Sequence, residues 1–520
     1  MSTVFKDERG IIPRWRSFAV ANETGELKVV QSEKIILPFQ SKLFIEEQER
    51  AWRSNRDLFH AGDLISSAYA IGVESEFADV AKFIIETDHH EISPLRTLAG
   101  KILGLAEEGV IGLVQPENAS IRSALDHQKY FGDIRRYKSY LRREPQNPIA
   151  WVELGRLYVL VGSVEKARRC IDAALHLDHN NRFIVRSASR FYSHFNPKDD
   201  KALQIVKQAE FVKSDPWLLS AEIAYSTALK RHSKLAKIGA NMVTREKSNY
   251  FSVTELSSAL GTMELTNGTA KEAKYFFKTS LIQPNDNSVA QASFRATDLL
   301  GIDIKLSEKE LPLAFEAQAQ LAYKHRKYED AYLHALEWLA DEPFSHRPIW
   351  FAAHMSYTFL DKREHAIDLL KKGLKVNPNN STLNNNLCYY LLKSDRTSEA
   401  TEVFKSQLEP HIKEDPEIDT YTIIATAGLL EYRTGHPDSG KAFYQKAIDV
   451  VKNQKKSSFL LALATANYIE EELRVISDHV KILQLKFQLE SVCKNSDEDQ
   501  IEVMYAKLCK EIDRKMKQEP

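Results

Sequence analysis

Apolar and small residues return every three or four positions along most of this chain, the spacing that gathers them on one stripe of a helix. From Pro148 onward Trp151, Leu154, Gly155 and Tyr158 share one predicted helix; after a turn at Gly162, Ala167, Ile171 and Ala174 share a second. The same order returns near Arg347, with Trp350, Ala353 and Tyr357, then Ala366, Leu370 and Gly373. Pro378 ends that second helix, because the residue before a proline is pushed out of the helical region. His354 stands where the small residue would be, and a looser crossing of the two helices is expected there.

The small residue near the start of each second helix forms a ladder: Ala167, Ala202, Ala236, Ala273, Ala331, Ala366, Ala400 and Gly440. The successive intervals are 35, 34, 37, 58, 35, 34 and 40. The interval of 58 holds an extra segment, roughly Ser288 to Leu311, and the interval of 40 holds a loop from Pro410 to Pro416. Leu260 and Gly261 precede Ala273 and Phe277 as Ala427 and Gly428 precede Gly440 and Tyr444, and prolines at Pro216, Pro284 and Pro343 mark helix ends. Small residues allow two antiparallel backbones to approach, and large ones wedge beside them. A unit this short cannot bury its apolar face alone and must stack on a neighbour.

This pattern resembles the tetratricopeptide-repeat (TPR) family over roughly residues 115–455, most strongly at 148–181 and 347–414. The resemblance implies an all-α fold, a right-handed superhelical solenoid of antiparallel helix pairs. The expected organisation is an extended N-terminal arm (1–40), degenerate helical hairpins (41–114), TPR-like repeats (115–301), TPR repeats (302–455) and C-terminal capping helices (456–520). Ser66, Ser67, Ala68, Ala78 and Ala81 mark the hairpins; Leu460, Leu463, Ala464, Asn467 and Tyr468, then Ile482, Leu483, Leu485 and Leu489, mark the closing helices. Polar terminal helices are what the solubility of a solenoid requires.

The first 40 residues break the period. Proline and β-branched runs predict an extended arm, and Ile11, Ile12, Trp15, Phe18, Ile35, Ile36 and Leu37 make it too apolar for a free disordered tail. Trp15 and Phe18 are its candidate contact residues, against the chain's own helices or against a partner.

Composition narrows the function. Nineteen glycines in 520 residues leave few phosphate-cradling loops. Lys+Arg (71) and Asp+Glu (72) cancel to a net charge of −1, so no global field draws nucleic acid or an anionic membrane. No run of 18 apolar residues would span a bilayer and the charged N-terminus is no signal peptide, so a cytoplasmic protein is expected. Cys170, Cys388, Cys493 and Cys509 form no CxxC pair, which predicts reduced thiols.

Candidate chemistry is sparse. His89, His90 and Glu91 lack the spacing of a zinc helix, and Val110 follows Gly104 and Gly109 where a phosphate loop needs lysine. Glu470, Glu471 and Glu472 read as a solvated helix face. Lys230, Arg231, His232, Lys234, Lys237, Arg245 and Lys247 are the densest cationic stretch, spread by helical periodicity over more than one face. No nucleophile signature appears. No enzyme activity, cofactor or metal is expected, and a catalytic region hidden in 1–115 or 456–520 would have to fit segments too short and too helical for most catalytic folds.

By the same resemblance, the first helix of each pair lines a concave groove. Its groove positions fall on Arg156 and Leu160, on Phe351, Met355 and Phe359, and on Asn385, Asn386, Tyr389 and Lys393. The implied function is a bacterial, cytoplasmic scaffold or adaptor that holds a protein or peptide partner by apolar anchors and polar bonds. The Lys, Asn and Arg set that binds chaperone C-termini is not matched. The alternative is a regulatory sensor of a bacterial signalling or antiphage system, controlling a separate effector.

Overall fold

A computed structural model describes residues 9–23, 42–71, 74–88, 94–104, 127–197, 199–246, 248–304, 311, 313–412, 420–453, 458–475, 479–493 and 499–517. Ile35, Ile36, Leu37, His89, His90, Glu91, Gly109, Val110, Lys247 and Pro416 lie outside the described residues. The described chain is all-α, an array of TPR-like antiparallel helix pairs, and carries no strand. It forms two compact units: residues 10–320 with 337–343, and chiefly residues 321–336 with 344–520.

In the first unit the arm expected to be extended over 1–40 is helical at Phe18–Glu23 (α1), and α2 (Lys42–Asn55), α3 (Leu58–Ile71), α4 (Ala78–Thr87) and α5 (Pro94–Ile102) pack around Trp52, Leu64, Ile65 and Ile84. Then come α6 (His127–Arg143), α7 (Pro148–Leu160), α8 (Val164–Leu177), α9 (Arg182–Phe195), α10 (Lys201–Gln208), α11 (Pro216–Ala228), α12 (Ala236–Arg245), α13 (Thr254–Asn267), α14 (Ala270–Ser280) and α15 (Asp286–Leu300). The unit also takes the start of α16 (Phe315–Lys324) and the end of α17 (Tyr328–Asp341).

The repeat is written in the caps as well as in the core. Asn147, Asn181, Asp215, Asn249 and Asn285 stand 34, 34, 34 and 36 residues apart, and each side chain accepts from the backbone N–H groups that open the next helical segment. Such a cap satisfies N–H groups that the helix itself leaves orphaned. Asn285 and Ser288 form a reciprocal capping box, so Ser288 lies inside helix α15, a well-packed helix whose Ala292 and Ala296 lie against Ala273 and Phe277.

The second unit continues with α18 (His346–Thr358), α19 (Arg363–Val376), α20 (Ser381–Lys393), α21 (Thr397–Val403), α22 (Glu409–Ile412), α23 (Tyr421–Arg433), α24 (Pro437–Asn453), α25 (Ser458–Val475), α26 (His479–Cys493) and α27 (Asp499–Met516). Where a loop is expected from Pro410, a π-helical turn over Phe404–Leu408 runs on without a break into α22, which contains Pro410.

Most crossings behave as the ladder requires; Ala236 is only half-buried, and Gly239, where a Cβ would lie 3.1 Å from Leu256, takes its place. Ala167, Ala273, Ala331, Ala366 and Ala400 are fully buried, and a Cβ added at Gly155 would lie 3.4 Å from the Ala167 carbonyl. His354 does not loosen its crossing. It packs parallel to Trp350 with ring centroids 5.4 Å apart and edge-on to Phe359, while the close approach moves to Gly373, where a Cβ would meet Ile349 at 2.7 Å. Helix α26 is apolar on two sides: Ile482, Leu485 and Leu489 are buried while Val480, Leu483 and Phe487 are exposed.

Candidate functional site

Residues 10–17 lie in the first unit against first helices of its pairs, which closes the question of where the arm packs for this stretch. Ile11 is buried among Leu219, Ile223, Val253 and Leu256. Asn287 Nδ2 donates to the Ile12 carbonyl at 2.9 Å. Side chains then alternate, as an extended segment dictates. Trp15 is buried and meets Phe191 edge-on at 6.0 Å, whereas Arg14 and Arg16 turn toward acids. The Phe18 ring meets Phe183 edge-on at 5.2 Å, and the Phe18 N–H donates to Glu153 Oε1 at 2.7 Å.

The two arginines enter a carboxylate cage. Arg14 donates to Asp286 Oδ2 at 3.0 Å, to Glu342 Oε2 at 2.7 Å and to Glu316 Oε2 at 2.6 Å. Arg16 donates to both oxygens of Asp341, at 2.6 to 3.0 Å, and to both of Asp286, at 2.8 and 3.2 Å. Trp338 Nε1 adds a bond to Glu342 Oε2 at 2.9 Å. Burial alone would raise the Asp286 carboxyl; Arg16 and Arg14 outweigh it and hold it below the usual range. At Asp341 burial wins, with Glu342 and Asp286 adding to it against Arg16, and the carboxyl is lifted. Four acids therefore face two arm guanidiniums, with Arg190 the further cation acting on Glu342.

Beside the cage runs a second polar line. Arg186 pairs with Glu255 at 2.9 Å and lies over the Trp217 ring; Asn285 and Asn287 both donate to Glu255 Oε1 at 3.0 Å; Arg182 pairs with Asp215 at 2.6 Å. Buried charges of this kind survive only when paired and bonded.

The groove residues expected from the sequence are placed as follows. Leu160 is buried and Arg156 is half-buried, 3.3 Å from Glu153. In the second unit Phe351 and Met355 are buried, and Phe359 stacks on Tyr328 with centroids 4.0 Å apart. Asn385 and Asn386 stay half-buried; Asn386 Nδ2 donates to the Thr382 carbonyl, and Asn385 Oδ1 accepts from no protein donor. Tyr389 and Lys393 are engaged by helix α25: Tyr389 donates to Asn467 Oδ1 at 2.9 Å and Lys393 to Glu470 at 2.8 Å.

The Glu470 to Glu472 run is correspondingly not a solvated face. All three are buried, with Glu470 held by Lys393 and Lys507, Glu471 by Arg433 at 2.7 Å, and Glu472 accepting from Tyr432. Of the cationic stretch, Lys230, Arg231, His232, Lys234, Lys237 and Arg245 are exposed, and Arg231 pairs with Asp200 at 2.8 Å. All four cysteines are free thiols, and burial pushes Cys170 and Cys388 up to about 12. Among the described residues no group of His, Cys, Asp or Glu is arranged to hold a metal, and no helix is long and apolar enough to cross a membrane.

Sequence reasoning missed the cage. Its one local signal is the Arg-Trp-Arg run at 14–16; the acids come from three helices and the turn after α17 and share no spacing.

No protein-family model matches the chain, and no curated protein matches it. Solved structures with a similar course include the APC/C hetero-tetramer Cut9–Hcn1, at 11% identity over 96% of this chain and 97% of that one, with a TM-score of 0.44. Yeast Tom70 is similar at 12% identity over 77% and 95%, TM-score 0.33; an IFIT1 monomeric mutant with Gppp-AAAA at 12% over 95% and 99%, TM-score 0.28. The fold assignment rests on the helix pairs themselves.

Proposed function

We propose that this chain is a non-enzymatic, cytoplasmic adaptor of bacterial type whose first-helix surfaces hold extended segments of partner proteins. One observation carries the reading: residues 10–18 already lie as a bound peptide would, with Ile11 and Trp15 as buried anchors and Arg14 and Arg16 fixing the register. Burying an aromatic or aliphatic anchor is worth about 1.5–3 kcal/mol, while a buried ion pair adds little net stability, so anchors supply affinity and arginines supply selection.

In the second unit the partner surface of this reading narrows to Phe359, Asn385 and Asn386, because Phe351 and Met355 are buried in the helix pairs and Tyr389 and Lys393 are held by α25; in the first unit Leu160 is buried too and Arg156 remains. Asn385 Oδ1 is a buried acceptor without a protein donor, which a partner's backbone N–H would satisfy once the side chain turns toward it. Affinity capture from native lysate with the intact chain beside Asn385→Arg with Asn386→Arg tests it. These half-buried sites tolerate substitution, so a partner held by the intact chain and lost from the folded variant supports the reading. Capture of nothing by either chain counts against an adaptor.

The regulatory sensor remains as a second reading, favoured by the arm lying against the first helices of the first unit. It predicts that the gene neighbouring this one encodes an effector.

A further inference from the structure

The arm does not exhaust the cage that holds it. Glu342 Oε1 and Gln320 Oε1 are buried acceptors with no donor, although Glu342 and Gln320 are 1% and 4% exposed. The four carboxylates outnumber the two arm guanidiniums even with Arg190 acting on Glu342. A site made only to staple its own arm gains nothing from surplus buried acceptors, each of which costs free energy while unmet. We infer that this cage is a docking site for an extended arginine-x-arginine segment of a partner protein, and that residues 11–18 are a resident occupant which the partner displaces. The inference rests on the adaptor reading and names the chemistry of its ligand.

Charge decides what can replace the arm. An apolar or acidic segment would take both arm guanidiniums from Asp286, Glu316 and Asp341 and leave Glu342 with Arg190, so it competes poorly. Lysine offers a point charge, whereas Arg14 bonds three acids at once through a planar fork. The incoming segment therefore carries arginine at alternate positions, with a large apolar residue between them for the site beside Phe191. A second copy's arm is the weaker occupant: it brings the same side chains, leaves the same two acceptors unmet, and competes against a tethered segment at high effective concentration. A partner with one more donor within reach of Glu342 Oε1 fills what the arm leaves open.

The test uses the full chain and a synthetic peptide with the sequence of residues 10–20, beside the same peptide with alanine at both arginines. Hydrogen exchange of the intact chain is followed at millimolar peptide. The arginine peptide is expected to speed exchange of the amides of residues 10–18 at least tenfold while α9 and α15 stay protected; the alanine peptide leaves them unchanged. Unchanged arm exchange with the arginine peptide, or equal effects of both peptides, overturns the proposal. A second measurement titrates the labelled arginine peptide into the intact chain and into full-length Trp15→Ala, which weakens the arm and spares every acid. Binding at least tenfold tighter to the variant supports the proposal; no gain overturns it. Mixed oligomers that exchange arms without peptide competition also overturn it, in favour of a second copy. A lysate partner still held by the second unit while the peptides do nothing would preserve the adaptor reading and sink this one alone.

Discussion

Arg14 Nη2 lies 2.6 Å from Glu316 Oε2 although 302 residues separate the two along the chain. Both side chains are almost fully buried, so the contact ties the N-terminal arm to the first unit by a charge that has no water to fall back on. Removing it takes a counter-charge from Glu316, Glu342 and Asp286, of which Asp286 keeps Arg16 and Glu342 keeps Arg190. Arg14→Ala is expected to cost the first unit about 3–5 kcal/mol, the usual consequence of leaving a buried charge uncompensated. Arg14→Lys falls between, since one ammonium cannot bond three acids in a plane. Hydrogen exchange of α15 reads both, and equal protection in Arg14→Ala and the unaltered chain would sink the claim.

What could be read from the sequence was the part governed by local rules. Most of the ladder from Ala167 to Gly440 lies at helix crossings because only small side chains fit there, the exception being Ala236, whose crossing passes to Gly239; helix pairs followed from the period. The turns inside the pairs were harder to see. Lys230, Arg326, Asp361 and Asp395 take positive φ where Gly162 and Gly435 do so elsewhere, so the left-handed turn recurs without its usual residue. The cage was not legible at all, because which acids meet Arg14 is decided by stacking over some 300 residues. Glu470 to Glu472 misled for a related reason: a charge run looks solvated until a neighbouring helix brings Lys393 and Arg433 to it.

Glycine at a crossing and glycine on an open helix face should respond oppositely to one added methyl. At Gly261 a Cβ would meet the Phe277 ring at 2.8 Å, closer than a Cβ tolerates, and Phe277 is fully buried. Gly261→Ala is expected to destabilise by about 1–3 kcal/mol. At Gly132, on the exposed face of α6, nothing lies within 4 Å, and Gly132→Ala should stabilise by about 0.5–1 kcal/mol through lower unfolded-state entropy. Thermal melts of the two variants must move in opposite directions.

Two acid residues of the second unit separate buried from surface ion pairs. Glu471 is 1% exposed and bonds Arg433 at 2.7 and 3.1 Å, with Lys393 at 3.4 Å. Glu329 reaches Lys362 at 3.0 Å with both side chains largely in water. Glu471→Ala is expected to cost about 3–5 kcal/mol and to loosen α25, whereas Glu329→Ala stays within about 1 kcal/mol. Limited proteolysis around α25 should accelerate only in the first variant; equal rates would show that Glu471 is no anchor.

His354 gives the second unit a sensitivity to mild acid. Burial against Trp350 and Phe359 pushes its imidazole down to about 4, and Thr358 Oγ1 lies 3.2 Å from Nδ1. Between pH 6.5 and 4 the unfolded chain takes up a proton here that the folded chain refuses, so stability falls as pH falls through that window. The 2.5-unit difference corresponds to about 3 kcal/mol by pH 4. Glu470, which Lys393 and Lys507 hold down at about 2 against its burial, acts in a separate window: its contribution is present above 4.5 and is lost only on the way to 2. His354→Phe keeps a ring on Trp350 and removes the titrating group. The unaltered chain should therefore lose stability between pH 6.5 and 4.5 more steeply than His354→Phe, and the two acid limbs should run parallel below 4. Denaturant midpoints of the second unit at half-unit pH steps decide it; matching slopes above pH 4.5 would mean that His354 is protonated in the folded chain.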